Sequence, residues 1–569
     1  MSEPKPPVSS KPIERPAVAA DYAAQGIPTA SAPGHSYVLF WGCFIALITT
    51  AFGFITRMFL LNEWAGIYGL DPAQLGRLQG IGIWPFAVSI ILFSLFIDRI
   101  GYKVAMYIAF LGYLTWVGMA TAAYNTVGTN KELSFQLLYW GSLILGLSNG
   151  TVEAFINPLV ATMFSHNKTK WLNILHAGWP GGLVLAGLLL IGLAESGMQI
   201  PWIYKIQLIA IPTVIFGIML TPLKFPVSER VASGVSYRRM LQEFGFLGAS
   251  VVGFLITLQL LDFFQPQDAM TKYIFIGLGV AMVLAFTAYT QTLGSPLMFF
   301  MILIMMPLAT TELGTDGWIT SIMEEVAKGN FNPGWVLVYT SAIMMVLRFF
   351  AGPIVHKISP LGLLASCSVL AIIGLYTLSI TQGMMIFVAA TIYGVAKTFF
   401  WPTMLGVVAE QCPKGGAFTL NALGGIGMLA VGTLGGTYIG VLQVQNENKA
   451  IASSKEVAEM VPGIVQQDGG LTVTEERSIY EIMKYKAISD EKLNAKIAEA
   501  APDKQEEAKK LVAEVRANSK QKALADMIYF PMAMLAGYII LIMYFASKGG
   551  YKAKDIHEAD HAREPVAAH

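Results

Sequence analysis

Charge is scarce in this chain. Only 13% of its 569 residues are Asp, Glu, Lys or Arg, against about 25% in an ordinary soluble domain, while 54% are hydrophobic. A soluble protein of this composition would lack the polar side chains needed to cover its apolar core. The scarcity of charge therefore excludes a soluble globular fold and indicates a protein with many membrane-spanning segments.

Reactive groups are also sparse. The three cysteines, Cys43, Cys367 and Cys412, lie far apart in or beside apolar segments, so they form neither a disulfide framework nor a metal-ligand set. No nucleophile–base pair or metal-ligand spacing occurs outside the apolar segments, so the sequence predicts no enzyme, cofactor or metal site. The net charge of +1 excludes a strongly basic protein that binds nucleic acid. Residues 1–36 lack the apolar core of a signal peptide and are expected to form a disordered cytoplasmic tail.

The chain contains many long apolar segments. A helix needs about 20 apolar residues to cross a bilayer. Fourteen such segments occur, near residues 38–61, 79–98, 103–124, 135–164, 171–194, 201–221, 244–264, 274–291, 294–324, 334–356, 360–382, 384–410, 416–443 and 527–547. The predicted fold class is therefore an all-α polytopic membrane protein with fourteen transmembrane helices in a lipid bilayer.

Polar stretches divide these segments into groups. The expected order is a tail at 1–36, six helices at 37–221, a cytoplasmic linker at 222–243, two extra helices at 244–291, five helices at 292–445, an external helical insertion at 446–526, a last helix at 527–547 and a cytoplasmic tail at 548–569. The extra helices contain little polar material beyond Gln259 and Asp262, so they are expected to pack peripherally against lipid. The insertion has a helical pattern from Asp490 through Met527 and is either a solvated cap or a module for an external protein partner.

Basic residues between the segments indicate the orientation. The loops with Arg99, Lys103, Lys168, Lys357 and Lys414 lie on one side, whereas the opposite loops carry acidic residues and isolated lysines. By the positive-inside rule, the basic side is cytoplasmic. Both termini are then cytoplasmic, and the protein is expected in a plasma, or inner, membrane.

One of the basic loops has a recognisable pattern. It runs from Ser94 to Asp98-Arg99-Ile-Gly101-Tyr-Lys103, and a weaker copy runs from Gly352 to His356-Lys357 in the second half. This pair of loops resembles the signature of the major facilitator superfamily. The resemblance implies two six-helix halves that rock about a central site. It also implies a cytoplasmic gating loop made by Asp98, Arg99, Gly101 and Lys103.

Within this superfamily, four stretches resemble the group of fucose permeases and glucose/galactose transporters. They are Glu153-Ala-Phe-Ile-Asn157-Pro158, Trp171-Leu-Asn173-Ile-Leu-His176, Glu312 six residues before Trp318, and Phe400-Trp401-Pro402-Thr403. The resemblance implies a secondary active transporter of a small polar solute, and a sugar in particular, in symport with a proton or a sodium ion. The chain departs from the group at Arg57, which stands where the fucose permease has a coupling aspartate.

Two charges inside apolar segments stand in matching places. Glu153 and Lys397 each lie five positions before a proline. A charge at bilayer depth costs about 3 kcal/mol on insertion scales, so it generally faces a cavity or a partner. We predict that Glu153 exchanges a coupling proton and that Lys397 is its counter-charge, either as a switch or as a static bridge between the halves. Asn157, one turn beyond Glu153, offers an amide to the solute or to this network.

The repeat also predicts a second pair. The two signature loops are 258 positions apart, and this offset carries Arg57 to within one residue of Asp316. Arg57 is therefore expected to pair with Asp316, or else to lie at the outer membrane interface. Glu312 precedes Asp316 by one helical turn, and two carboxylates so placed can hold a cation or share a proton.

A further set of candidates lies around the fifth apolar segment. Asn173, His176 and Trp179 recur at every third position. His176 either titrates near neutral pH or satisfies a polar neighbour. Trp179 and Trp401 are expected either to stack on a sugar ring or to serve ordinary helix packing.

Three other functions fit parts of the pattern. A drug/proton antiporter is favoured by the fourteen segments and by Gly178-Trp-Pro180-Gly-Gly182, although the spacing differs from the antiporter motif. An organic-anion carrier is favoured by Arg57 and Lys397. A non-transporting sensor would use the 446–526 insertion to bind a partner.

Overall fold

In the computed structural model, the chain is almost wholly helical. The structure describes residues 33–70, 72–198, 200–323, 327, 331–466, 469–480, 483–499, 502 and 504–556. Residues 1–32 of the expected N-terminal tail and 557–569 of the expected C-terminal tail lie outside this range. Residues 33–36 already belong to the first helix.

The first half runs from α1 to α9. Its helices are α1 (Pro33–Tyr68), α2 (Pro72–Gly80), α3 (Trp84–Ile100), α4 (Tyr102–Thr126), α5 (Lys131–Met163), α6 (Lys168–His176), α7 (Gly178–Glu195), α8 (Trp202–Gln207) and α9 (Ala210–Leu220). Some spans consist of two consecutive helices, as in α6 with α7 and in α8 with α9. The apolar faces of this half join the large hydrophobic core that it shares with the second half.

The second half follows a short linker helix and the extra pair. The linker helix is α10 (Glu229–Ala232), and the pair is α11 (Tyr237–Phe264), which breaks at Gly245, and α12 (Ala269–Thr290). The helices of the second half are α13 (Pro296–Ala309), α14 (Thr315–Ile322), α15 (Gly334–Arg348), α16 (Ala351–Ile358), α17 (Pro360–Ile380), α18 (Ile386–Lys397), α19 (Phe400–Gln411), α20 (Gly416–Ala430) and α21 (Gly436–Ser453). Two π-helical turns, Thr310–Gly314 and Val431–Gly435, join α13 to α14 and α20 to α21.

The number of spans agrees with the prediction. In the described part of the chain, thirteen helical segments are long and apolar enough to cross a membrane. The pair α15 and α16, bent by 68° at its break, makes a fourteenth when it is counted as one span. The all-α polytopic fold class is thus confirmed, and the fourteen predicted positions each overlap one of these segments.

The backbone at the two signature loops shows the internal repeat directly. Gly101 has φ 81° and ψ 150°, and Ser359, 258 positions later, has φ 64° and ψ 160°. A positive φ is easy for glycine and costly for serine. At Ser359 the side-chain hydroxyl accepts a hydrogen bond from the N–H of Gly362, which caps α17.

The two extra helices differ in their surroundings. Only 6% of the most apolar stretch of α12 is buried, as expected for a helix against lipid, but 44% is buried in α11. Phe244 of α11 packs edge-on against Phe418 of α20, with ring centroids 5.1 Å apart. The expectation that both helices are peripheral is therefore wrong for α11, because one of its faces is apolar enough to pack onto the second half.

The 446–526 insertion contains strands that its composition did not predict. After α22 (Lys455–Met460), β1 (Thr474–Ile479) pairs antiparallel with β2 (Met483–Ile488), and Thr474 faces Ile488. The predicted continuous helix from Asp490 is broken into α23 (Asp490–Ala498), α24 (Gln505–Lys520) and α25 (Ala523–Asp526), which lead to the last helix α26 (Tyr529–Ser547). The insertion has its own small core around Val457, Ile464 and Ile497, so it is a folded unit rather than a spacer.

Candidate functional site

A cavity of about 510 Å³ lies between the two halves. Residues of α1, α2, α3 and α7 line one wall, and residues of α14, α15 and the turn before α21 line the other. The exposed glycines Gly76, Gly317 and Gly432 on its wall show that solvent reaches it. Its polar lining residues and its three tryptophans are Gln79, Gln259, Asp262, Asp316, Thr437, Trp84, Trp179 and Trp318.

A narrower recess adjoins this cavity and is lined by half of the ten residues predicted to bind the solute or the coupling ion. Trp179 and Met428 line both spaces. The recess is further lined by Glu153, His176, Glu312, Arg348 and Trp401. The structure therefore brings together residues that the sequence places more than 200 positions apart.

Lys397 pairs with Asp316 and not with Glu153. The Lys397 ammonium donates a hydrogen bond to Asp316 Oδ1, and the Lys397 side chain is almost fully buried. Both residues belong to the second half. The predicted pairs Glu153–Lys397 and Arg57–Asp316 are both wrong, because Lys397 and Asp316 pair with each other.

The reason for the first error lies in the helix register. The prolines after Glu153 and Lys397 are 244 positions apart. The residues that end the two helices, Phe164 and Cys412, share nearly the same conformation (φ −123°, ψ 48° and 50°) and are 248 positions apart. The offset of 248 carries Glu153 to Trp401. The proline match thus shifted the alignment by four residues, about one helical turn.

Glu153 is buried, and its nearest polar partners among the described residues are an amide and a histidine rather than a lysine or an arginine. Asn157 Nδ2 donates a hydrogen bond to Glu153 Oε2 at 2.7 Å, as the spacing of one turn predicted. His176 Nε2 lies 3.8 Å from the same oxygen, and His176 Nδ1 lies 2.9 Å from the Leu172 carbonyl oxygen. In the described part of the chain, no Lys or Arg forms an ion pair with Glu153, so histidine is its nearest basic partner.

Glu312 is held by Arg348, which was not among the predicted site residues. Arg348 Nη2 donates to Glu312 Oε1 at 2.8 Å, and the backbone N–H of Trp401 donates to Glu312 Oε2 at 3.0 Å. Arg348 also donates to the carbonyl oxygens of Thr398 and His176, each at 2.6 Å. The contact with His176 joins the second half to the first. Arg348 could have been found by the criterion that selected Glu153, a lone charge inside an apolar segment.

The two neighbouring carboxylates do not form a shared cation site. Glu312 lies in the π-helical turn and faces Arg348, whereas Asp316 lies in α14 and faces Lys397. Each carboxylate therefore has a cation of its own. Within the part of the chain that the structure describes, no group of three His, Cys, Asp or Glu side chains is arranged to hold a metal ion.

Arg57 is buried against the C-terminal end of α2 and the turn that follows it. Its guanidinium donates to the carbonyl oxygens of Leu78 and Gln79, each at 2.6 Å, and only 1% of the residue is exposed. It therefore does not lie at the outer interface. A Cβ at Gly82 would stand 2.2 Å from Arg57 Cζ, so the guanidinium fits only because this residue is a glycine.

Asn173 and Trp179 of the fifth span, and Trp401 of α19, each contact other groups of the protein. Asn173 Nδ2 donates to Thr403 Oγ1 at 3.1 Å, which links the two halves. Trp179 faces the cavity and the recess, with its ring 5.6 Å from that of Phe54. Trp401 lines only the recess, where it meets Glu312 through its backbone.

The signature loop makes the contacts of a latch. Asp98 Oδ2 accepts a hydrogen bond from Arg230 Nε at 2.8 Å and lies 2.6 Å from Arg230 Nη2 in an ion pair, and both side chains are buried. Arg99 lies over the ring of Tyr237 at 4.7 Å, and Lys103 Nζ donates to the Leu223 carbonyl oxygen at 3.2 Å. The loop thus fastens the first half to the linker, a partner that the sequence did not single out.

The halves are joined at the end of the bundle that carries this loop, called here the latch end. Glu410 of α19 accepts hydrogen bonds from the Thr169 N–H at 3.1 Å and from the Tyr551 hydroxyl at 2.8 Å. Asn421 Nδ2 donates to the Ala154 carbonyl oxygen at 2.8 Å. The cavity is therefore closed toward the latch end and accessible from the opposite end, where the insertion lies.

Two helical halves around a central cavity that is open at one end define a multi-pass membrane transporter. The chain belongs to the Major Facilitator Superfamily, whose family model matches residues 42–437. Members of this family carry small-molecule solutes across membranes and are not enzymes. No curated protein sequence matches the chain.

Solved structures with a similar fold are distant in sequence. The E. coli fucose:proton symporter FucP is 12% identical, with a TM-score of 0.47 over 71% of this chain and 89% of that one. The E. coli xylose transporter XylE, partially occluded and inward open, is 12% identical, with a TM-score of 0.48 over 71% and 92%. A bacterial homologue of the human drug peptide transporters is 12% identical, with a TM-score of 0.45 over 89% and 99%.

Proposed function

We propose that this protein is a secondary active transporter that moves a small polar solute, of the sugar type, in symport with a proton. The observation that carries the proposal is the buried carboxyl of Glu153 in the recess that adjoins the central cavity. Glu312 and Asp316 each have a permanent cation, but Glu153 has an amide and a histidine. A buried carboxyl without a permanent counter-charge is the group best able to gain and lose a proton.

The cavity suits a small solute with both apolar faces and hydroxyl groups. Its volume falls within the roughly 300–1,000 Å³ of typical small-molecule sites. Trp84, Trp179 and Trp318 offer flat aromatic surfaces, and Gln79 and Gln259 offer amides that both donate and accept hydrogen bonds. A pyranose ring presents the complementary pattern, because its axial C–H face is apolar and its rim is polar.

The organic-anion alternative has less support than the sequence suggested. Its basis was the pair Arg57 and Lys397. In the structure, Arg57 donates hydrogen bonds to two backbone carbonyl oxygens, and Lys397 forms an ion pair with Asp316. Neither residue is among the described residues that line the cavity.

Alternating access would follow from a change at the latch end. The hydrogen bonds of Glu410 and Asn421 between elements of the two halves would have to break for the cavity to open toward that end. The basic residues around the signature loop support a cytoplasmic location for this end by the positive-inside rule. We therefore infer a plasma, or inner, membrane with both chain termini on the cytoplasmic side.

Solute uptake into proteoliposomes tests this proposal. A proton gradient should drive accumulation of a radiolabelled sugar by the wild-type protein. Glu153→Gln should abolish gradient-driven accumulation and retain exchange of sugar across the membrane, because the amide keeps the hydrogen bond with Asn157 but cannot release a proton. Replacing the proton gradient by a sodium gradient identifies the ion. Unchanged coupled uptake by Glu153→Gln would show that another group carries the proton.

A further inference from the structure

The inserted helix α11 supplies polar groups to the cavity. Gln259 and Asp262 both line it, and they lie three positions apart on one helical face. Phe263, the next residue, packs edge-on against Trp84 of α3 with ring centroids 5.4 Å apart. This contact seats the end of α11 against the first half, so Asp262 is fixed at the mouth of the cavity rather than facing lipid.

The wall of the cavity has an uncompensated negative charge. Among its described lining residues, the only ionisable side chains are Asp262 and Asp316. Lys397 neutralises Asp316. In the described residues, no Lys, Arg or His forms an ion pair with Asp262, and that carboxylate is accessible to solvent. A cation is therefore attracted to the mouth of the cavity and an anion is repelled.

The β1–β2 hairpin of the insertion also lies at the mouth of the cavity. Tyr480, at the end of β1, donates a hydrogen bond from its hydroxyl to the Thr433 carbonyl oxygen at 2.8 Å. Thr433 follows the cavity-lining Gly432 in the π-helical turn. Burial raises the pKa of the Tyr480 phenol, and the negative charge of Asp262 raises it further. The hairpin thus covers the rim of the cavity beside Asp262 and shields that carboxylate from bulk water on one side.

We propose that Asp262 and Gln259 of the inserted helix, with the face of Trp84, form a subsite for a protonated amino group on the solute. This inference rests on the proposed function and narrows its substrate class to amine-bearing polar solutes, such as amino sugars. An ammonium group donates charge-assisted hydrogen bonds to the Asp262 carboxylate and is attracted to an aromatic face. A carboxylate on the solute meets repulsion at the same position.

Binding of matched pyranoses to the purified protein tests the subsite. The probes are glucosamine, N-acetylglucosamine, glucose and glucuronate, measured by thermal shift and by isothermal titration at a pH below the pKa of the amine. Glucosamine should bind about 10- to 100-fold more tightly than N-acetylglucosamine, as expected for one hydrogen bond between charged groups. Glucuronate should bind more weakly than glucose.

Variants assign this preference to residues. Asp262→Asn should remove the preference for glucosamine and change glucose affinity by no more than about threefold, an estimate based on a neutral hydrogen bond. Asp262→Glu should retain part of the preference. Glu476→Gln is the matched control, because it removes one exposed negative charge from the hairpin that covers the rim of the cavity. Glu476 pairs there with Lys484. This variant should leave all four affinities unchanged.

Either of two results would overturn the inference. One is equal binding of glucosamine and glucose by the wild-type protein, and the other is an amine preference that survives in Asp262→Asn. If the sugars are transported without any amine preference, only the subsite is wrong. If none of the four compounds binds or is transported, the sugar-type solute of the proposed function fails as well.

Discussion

Lys397, at the end of α18, and Asp316, in α14, form a buried ion pair inside the second half of the bundle. The pair lies next to a second one, Glu312 with Arg348. Both pairs join helices of the same half, so movement of one half relative to the other need not break them. In the first half, Glu153 contacts Asn157 and His176. Glu312 and Asp316 of the second half therefore each have a Lys or Arg partner, whereas Glu153 of the first half has an amide and a histidine.

The Lys397–Asp316 pair should be essential to the stability of the second half. Lys397→Met should lower the free energy of unfolding by about 3–5 kcal/mol, because it leaves the Asp316 charge buried without its partner. The double variant Lys397→Met/Asp316→Asn should recover most of this loss. Thermal denaturation in detergent measures both. A double variant no more stable than the single one would contradict a direct pair.

Gly82 should be required for the position of Arg57. Gly82→Ala would place a Cβ 2.2 Å from Arg57 Cζ and force the guanidinium from the carbonyl oxygens of Leu78 and Gln79. The expected destabilisation is about 1–3 kcal/mol, the usual cost of overpacking a well-packed site. Gly66→Ala in α1 is the control, because a Cβ there meets nothing within 4 Å. Equal melting temperatures for the two variants would refute the role of Gly82.

The latch end should open when Glu410 loses its charge. Cys412, two residues later, is buried, and burial raises the pKa of its thiol, so the wild-type protein should react slowly with maleimide. Glu410→Gln weakens the bonds from Thr169 and Tyr551 and should speed labelling of Cys412 severalfold in a Cys43→Ser/Cys367→Ser background.

Mass spectrometry of the labelled peptide follows the rate of this reaction. Glu132→Gln, an exposed change at the opposite end of the bundle, is the control and should leave the rate unchanged. An unchanged rate in Glu410→Gln would mean that Glu410 does not help to hold the latch end closed.

Helix register limited what could be predicted about the site. Glu153, His176, Glu312 and Trp401, which the sequence marked as candidates, line one recess, and Asn157 is hydrogen-bonded to Glu153. Lone polar groups in apolar spans tend to face such a space. The prediction from sequence paired the charges wrongly because a shift of four residues moves a side chain by a whole turn, about 6 Å along the helix. The π-helical turn at Thr310–Gly314 changes the helix register locally, and no residue pattern predicted it.

The sequence by itself determined the membrane class, the number of spans, the internal repeat and the signature loop. These depend on local hydropathy and short patterns, to which each residue contributes nearly independently. Only the tertiary structure decided that Lys397 belongs to Asp316, that Arg57 binds backbone carbonyls, and that α11 and the Tyr480 hairpin border the cavity. Such choices depend on the packing of several helices at once, because a buried charge takes whichever partner the completed bundle brings within reach.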